Sequence, residues 1–134
     1  MKDHTIDPDQ LYGTWRLVRS RATDADGRPI RDPWGPEPMG RLILERNGRM
    51  MAVLCDGRAS LPPGKKRAYS SYCGNFVIEG DLLTTIIDAA SDSDRVGSTQ
   101  PRLLEFRGDE LVLKPPMRKD GEQREIFWRL EARL

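Results

Sequence analysis

Histidine is almost missing from this sequence: His4 is the single one in 134 residues. That argues against a histidine-based zinc site, a proximal haem histidine and a serine–histidine triad. Cysteine is scarce as well. Cys55 and Cys73 are too few for a disulfide framework, no Cys-x-x-Cys occurs, and a reducing compartment is expected. No stretch approaches the ~20 consecutive apolar residues of a membrane-spanning helix. The opening Met1-Lys2-Asp3-His4-Thr5-Ile6-Asp7 has no apolar signal core, so a cytoplasmic location is expected. A net charge of +1 supplies no global attraction to nucleic acid or to an anionic membrane, and neither is expected as a partner. The basic run Lys65-Lys66-Arg67 sits among prolines and glycine and reads as a solvated loop tip. A long 3.6-residue apolar period is also lacking.

What is present is a set of short runs rich in Val, Ile, Leu and aromatics, punctuated by turn dipeptides. Hydrophobic residues make up 37% and charged residues 32%, enough apolar content for one domain with one core. Asp26-Gly27, Asn47-Gly48, Gly80-Asp81, Gly108-Asp109 and Asp120-Gly121 each flank such a run and permit the conformations tight hairpins need. Eight strands are predicted, at about Gly13–Thr23, Gly40–Arg46, Arg49–Cys55, Ala68–Glu79, Leu82–Ala89, Arg102–Arg107, Glu110–Lys114 and Glu122–Ala132. Before them Asp7-Pro8-Asp9-Gln10 reads as a short helical turn, capped by Asp7 with Pro8 at its first position. Residues 1–10 thus form an N-terminal segment and 11–134 the domain proper. Long and tight connections alternate along the chain. In an up-and-down meander the long ones gather at one end, giving a cup with a loop-lined mouth and a closed base. A two-sheet sandwich has the same hairpins and is the alternative.

Further residues carry a resemblance. Gly13-Thr14-Trp15 follows the helical turn. It occurs in order with Gly35-Pro-Glu-Pro-Met-Gly40, Asn47-Gly-Arg-Met50, Tyr72-Cys-Gly74, Gly97-Ser-Thr-Gln-Pro-Arg102 and Phe127-Trp128-Arg129. Together these segments resemble the bacterial and fungal lipocalin-like domain family over about Leu11 to Arg133. The resemblance implies an all-β, eight-stranded antiparallel up-and-down barrel of lipocalin type. It does not imply one function: some lipocalin-like barrels of natural-product biosynthesis act as cyclases or isomerases. Related sequences often carry histidine on the fifth strand, where this chain has Thr85 and Ile86, so a histidine acid/base does not carry over. Lipocalins also tend to lay a last-strand Arg or Lys over the first-strand Trp. Arg129 is nearest in sequence but has the wrong parity, which calls for a bulge or for another residue at that place.

Alternation sorts each strand into two faces. The expected inward set joins an apolar base (Trp15, Leu44, Met50, Phe76, Leu83, Phe106) to a more polar upper wall with Arg19, Ser70, Tyr72, Arg102 and Arg124. An inward arginine needs a partner, and by parity Glu122 is the one acid available to them. A ligand carboxylate, enolate or phenolate would meet the deficit, because guanidinium binds such groups bidentately. Expected ligand-binding residues are Arg19, Leu54, Ser70, Tyr72, Thr85, Arg102, Arg124 and Trp128, with Trp34 from the first long loop as a lid or a hydrophobic plug. A register slip would instead turn one or two of the arginines outward. Independently, the alternative for Tyr72 is a core tyrosine with a satisfied hydroxyl. Two functions follow. One is binding of a small amphiphilic or hydrophobic molecule. The other is a cofactor-independent cyclase or isomerase of polyketide-like or terpenoid-like substrates, with Tyr72 and Arg102 as candidate catalytic groups. No cofactor or metal is expected; the acidic loop Asp88–Asp94 lacks the Gly and distal Glu of a calcium loop. Small-molecule ligand or substrate is the expected partner, to a monomer or homodimer.

Overall fold

Alternating apolar residues and glycine-bearing turns generate eight strands in this chain. The computed structural model describes residues 6–133, and His4 lies outside them. The strands are β1 (Gly13–Thr23), β2 (Pro38–Leu44), β3 (Arg49–Asp56), β4 (Tyr69–Glu79), β5 (Leu82–Ala90), β6 (Thr99–Arg107), β7 (Glu110–Lys114) and β8 (Gln123–Arg133). Each pairs antiparallel with the next, and β8 closes on β1 to complete a barrel. Closure leaves no open sheet edge and sets aside the sandwich alternative.

Two strands differ from expectation by more than one residue. β2 begins at Pro38 and stops at Leu44, because Glu45 already belongs to the hairpin: its N–H donates to Arg49 O and its O accepts from Gly48 N. β6 begins at Thr99, three residues earlier than predicted. Thr99, Gln100 and Pro101 lie in register with Ile86, Thr85 and Thr84, although Pro101 brings no N–H to the ladder.

The tight turns and the N-terminal segment share one end. The Pro8–Gln10 turn is 3-10 helical; Asp7 caps it by accepting from Asp9 N at 3.0 Å. Behind it, Trp15 Nε1 donates to Leu11 O at 2.8 Å, and both residues are buried with Leu17, Leu42, Leu44 and Leu111. The arginine that reaches this base is Arg133. Its Nη1 donates to the carbonyls of Asp9 and Gln10, and it lines a shallow dish with Trp15. Arg129 instead points outward to Glu110 and Asp109.

Arg19 is a correction. It was expected inside the cup, but its side chain is 53% exposed and pairs with Glu110 at 3.0 Å. The cause is a bulge. Leu17 pairs with Trp128 and Arg19 with Phe127, so Val18 is extra and every later residue of β1 changes face. Outside, the Arg19 guanidinium covers the Phe127 ring at 3.9 Å. A charge that would have needed an internal partner thereby gains one at the surface.

Candidate functional site

The four long connections (24–37, 57–68, 91–98 and 115–122) lie at the other end. Among them opens a cavity of about 360 Å³, lined by strands β3, β4 and β6–β8 and by the first and third long loops. That is toward the small end of the ~300–1,000 Å³ range of small-molecule sites. Six residues expected from sequence meet there: Trp34, Leu54, Ser70, Tyr72, Arg102 and Trp128. Trp34 is half-buried and packs on the core from its loop.

Three do not line it. Arg19 is outside, as described. Thr85 faces inward but is fully buried. Arg124 takes the partner anticipated for it, donating through Nε and Nη2 to Glu122 Oε1 at 2.9 and 2.7 Å.

Four polar residues of the cavity escaped the sequence reading: Ser98 and Thr99, and the two that form its internal contacts, Arg95 and Gln100. Arg95 follows the acidic run, where Asp92 caps a 3-10 turn over Ser93–Arg95 by accepting from Asp94 N. That turn carries the Arg95 guanidinium over the Tyr72 ring at 4.7 Å. Its Nη1 donates to Ser70 Oγ at 3.3 Å, and its Nη2 donates to Gln100 Oε1. Nothing in the local sequence distinguishes Arg95 from a solvated loop arginine. Gln100 was legible in principle, since it shares parity with Arg102, but a strand started at Arg102 leaves it in a loop.

The electrostatics of the cavity are one-sided. Its lining contains two guanidinium groups and no carboxylate. Arg102 donates through Nη1 to its neighbour's carbonyl, Pro101 O, at 2.8 Å. Among the described residues neither Arg95 nor Arg102 forms a salt bridge, whereas Arg19, Arg58, Arg107 and Arg124 do. Burial pushes the Arg102 guanidinium below its ordinary pKa and Arg95 pushes it the same way, while Tyr72 opposes them. Arginine stays protonated at neutral pH even so. The cavity is therefore positive, with apolar walls from Leu54, Leu113, Ile126 and the two tryptophans. Cys73 lies on the other side of β4, where burial and Asp88 push its thiol up, against a thiolate nucleophile.

The mouth is held by Asp56, at the end of β3. It is 0% exposed and accepts a two-pronged contact from Arg58, Nε to Oδ1 at 3.0 Å and Nη2 to Oδ2 at 2.6 Å. Arg67 adds a bond to its carbonyl at 2.5 Å. Gly35, beside Trp34, lies against this carboxylate with φ +72°; a Cβ there would meet Oδ2 at 2.6 Å. The carboxylate thus joins the first two long loops. Arg58 holds the Asp56 carboxyl down, from 3.8 to about 2, against the opposing effect of burial. A depressed folded pKa contributes stability above the unfolded value, lost as pH falls through about 4 toward about 2. Urea midpoints should show wild type above Asp56→Asn at neutral pH, with the gap closing in acid. A gap that does not change with pH would contradict the pairing.

Comparison with known proteins adds the family. A family model described as a lipocalin-like domain matches residues 12–130. No curated protein matches the chain. A barrel of this kind is suited to holding a small hydrophobic molecule. No helix among the described residues is long and apolar enough to cross a membrane.

Proposed function

The chain belongs to the lipocalin-like domain family, and on that premise we propose that it binds a small amphiphile through a carboxylate or enolate group. The observation that carries this reading is the pair Arg95 and Arg102 in a cavity lined by no acid. Two unneutralised guanidiniums beside apolar walls are costly unless an anion completes them. Arg102 and Arg95 take the anionic oxygens, Ser70 and Tyr72 offer hydroxyls beside them, and the hydrocarbon lies along Leu54, Leu113, Ile126, Trp34 and Trp128. A loop-borne Trp34 covers the guest from the mouth.

Calorimetric titration with a panel of medium-length arylalkyl carboxylates and their methyl esters tests this. The acids should bind and the esters should bind far more weakly. Arg102→Gln, checked for folding by circular dichroism, should lower affinity for the acids by about 10- to 100-fold, the worth of a charge-assisted pair. Equal affinity for acid and ester, or an Arg102→Gln variant that binds like wild type, would defeat the reading. Mass spectrometry of the recovered probe should show it unchanged. Conversion would instead give Tyr72 and Arg102 the cyclase or isomerase role.

A further inference from the structure

The outer wall of the barrel has two unlike halves. Over β1 and β6–β8 it is charged and cross-braced, by pairs such as Arg19–Glu110 and Arg107–Glu125. Over β2–β5 it is largely apolar. Met39, Met51, Tyr69, Val77 and Ile86 all lie there, between 50% and 57% exposed. Exposed hydrophobics scattered singly are ordinary, but a group gathered on one face of a sheet marks an interaction surface. The register holds them together: Met39 pairs with Cys55 and Cys55 with Tyr69, while Met51 pairs with Cys73. The convex wall is also dented here. Beside the β4–β5 shift at Cys73/Gly74, a groove of about 440 Å³ opens between Met51, Val53, Tyr69, Cys73 and Ala90.

Charge selects the occupant. In the middle of the face Arg49 and Asp88 neutralise each other at 2.6 Å. Free charge stands at its two ends, with opposite sign. Lys65 and Lys66 are exposed just ahead of β4, at the mouth. Glu79 is exposed at the last position of β4, at the base, and shares the face of Tyr69 and Val77 by parity. None of these three forms a salt bridge among the described residues. A face that is basic at one end, apolar in the middle and acidic at the other is complementary to itself turned around. A two-fold axis across the middle of β4 lays the lysine end of each copy on the Glu79 end of the other.

We propose that the chain forms a symmetric homodimer through the outer face of β2–β5, the barrels side by side and their mouths pointing opposite ways. The face runs ~26 Å along β4 from Tyr69 to Val77 and ~14 Å across the four strands. With the relief of its side chains, two copies bury on the order of 1,000 Å², the low end of specific interfaces. The dimer is therefore a weak one, and both cavities stay open.

Sedimentation velocity on the full chain should show monomer passing to dimer with a dissociation constant on the order of 10–100 µM. Met51→Asp puts a charge in the apolar middle and should leave monomer at every concentration. Arg129→Gln, on β8, should leave the constant unchanged. Lys65→Glu/Lys66→Glu sets acid on acid at both ends and Glu79→Lys sets base on base, so each should weaken the dimer about tenfold or more. Mixed together, these two variants should associate about as tightly as wild type, because each then meets opposite charge at both ends. Circular dichroism and thermal melts establish that every variant is folded. Wild type that stays monomeric throughout would overturn the second copy and leave the face to a different protein. A dimer that survives Met51→Asp would overturn it too, by placing the interface elsewhere. A mixture that associates no better than its parts would overturn the antiparallel two-fold.

Discussion

Gly74→Val is expected to abolish the folded barrel. Gly74 lies on the inner face of β4, beside the register shift where Cys73 pairs with Ala89 and Gly74 with Ile87. A Cβ at this position would stand 2.0 Å from Ile86 O, 2.9 Å from Ile86 C and 3.1 Å from Ile87 Cα. All three are backbone atoms of β5, so no rotamer change relieves the clash. Relief requires β4 and β5 to part, and parting them opens a closed sheet in which each strand depends on both neighbours. Gly74→Ala already demands this and should cost about 3 kcal/mol, a large share of the ~5–15 kcal/mol available to a domain. The two branches of valine add further clashes with the same backbone. Circular dichroism and urea unfolding decide the matter, with Val77→Ala as the control. Val77 is on the same strand, faces outward and is 56% exposed, so its truncation should change stability by less than about 1 kcal/mol. A Gly74→Val protein with a wild-type urea midpoint would refute the close approach of the two strands.

Trp15→Ala has the next largest effect, at the opposite end of the molecule from the cavity. Trp15 is buried at the base, in tilted contact with Phe106 at 6.4 Å between ring centroids, and its Nε1 donates to Leu11 O. Removing the indole leaves a large hole in an interior packed from two sides, and strands the Leu11 carbonyl. Loss of about 3–5 kcal/mol is expected, measured by chemical denaturation. Trp15→Phe should recover the greater part of the packing but not the hydrogen bond, and fall between the two. Ligand affinity in the surviving folded fraction should be little changed, because Trp15 does not line the cavity at the mouth. Equal stability of Trp15→Phe and Trp15→Ala would mean that filling volume is not what the residue contributes.

The readings that succeeded from sequence rest on short-range physics. β1 and β7 were bounded correctly from alternation and turn residues, and Asp7-Pro8 marked the helical turn, because each signal is settled by the few residues around it. Parity then placed Leu54, Ser70, Tyr72, Arg102 and Trp128 on one inner surface. Parity fails wherever a strand gains a residue. The bulge at Val18 sent Arg19 outside, and no residue type in Leu17-Val18-Arg19 announces it. Phe127 shows the same limit from the other direction. It faces outward by alternation, yet it is buried, because Arg19 and Arg107 cover its ring.

By itself, then, the order of residues determined the strands, their hairpins and the end of the barrel at which the polar inner residues gather. All of these follow from interactions between residues close along the chain. The pairs Arg58–Asp56 and Arg124–Glu122 lie two residues apart along a strand or its end, but tertiary structure alone decided that Arg19 meets Glu110 and that Arg95 and Arg102 meet no carboxylate of the described residues. For these three, whether the charge meets a partner is a matter of distance in space between side chains remote in sequence. Ninety-one residues separate Arg19 from Glu110, and that span is bridged only when the sheet closes.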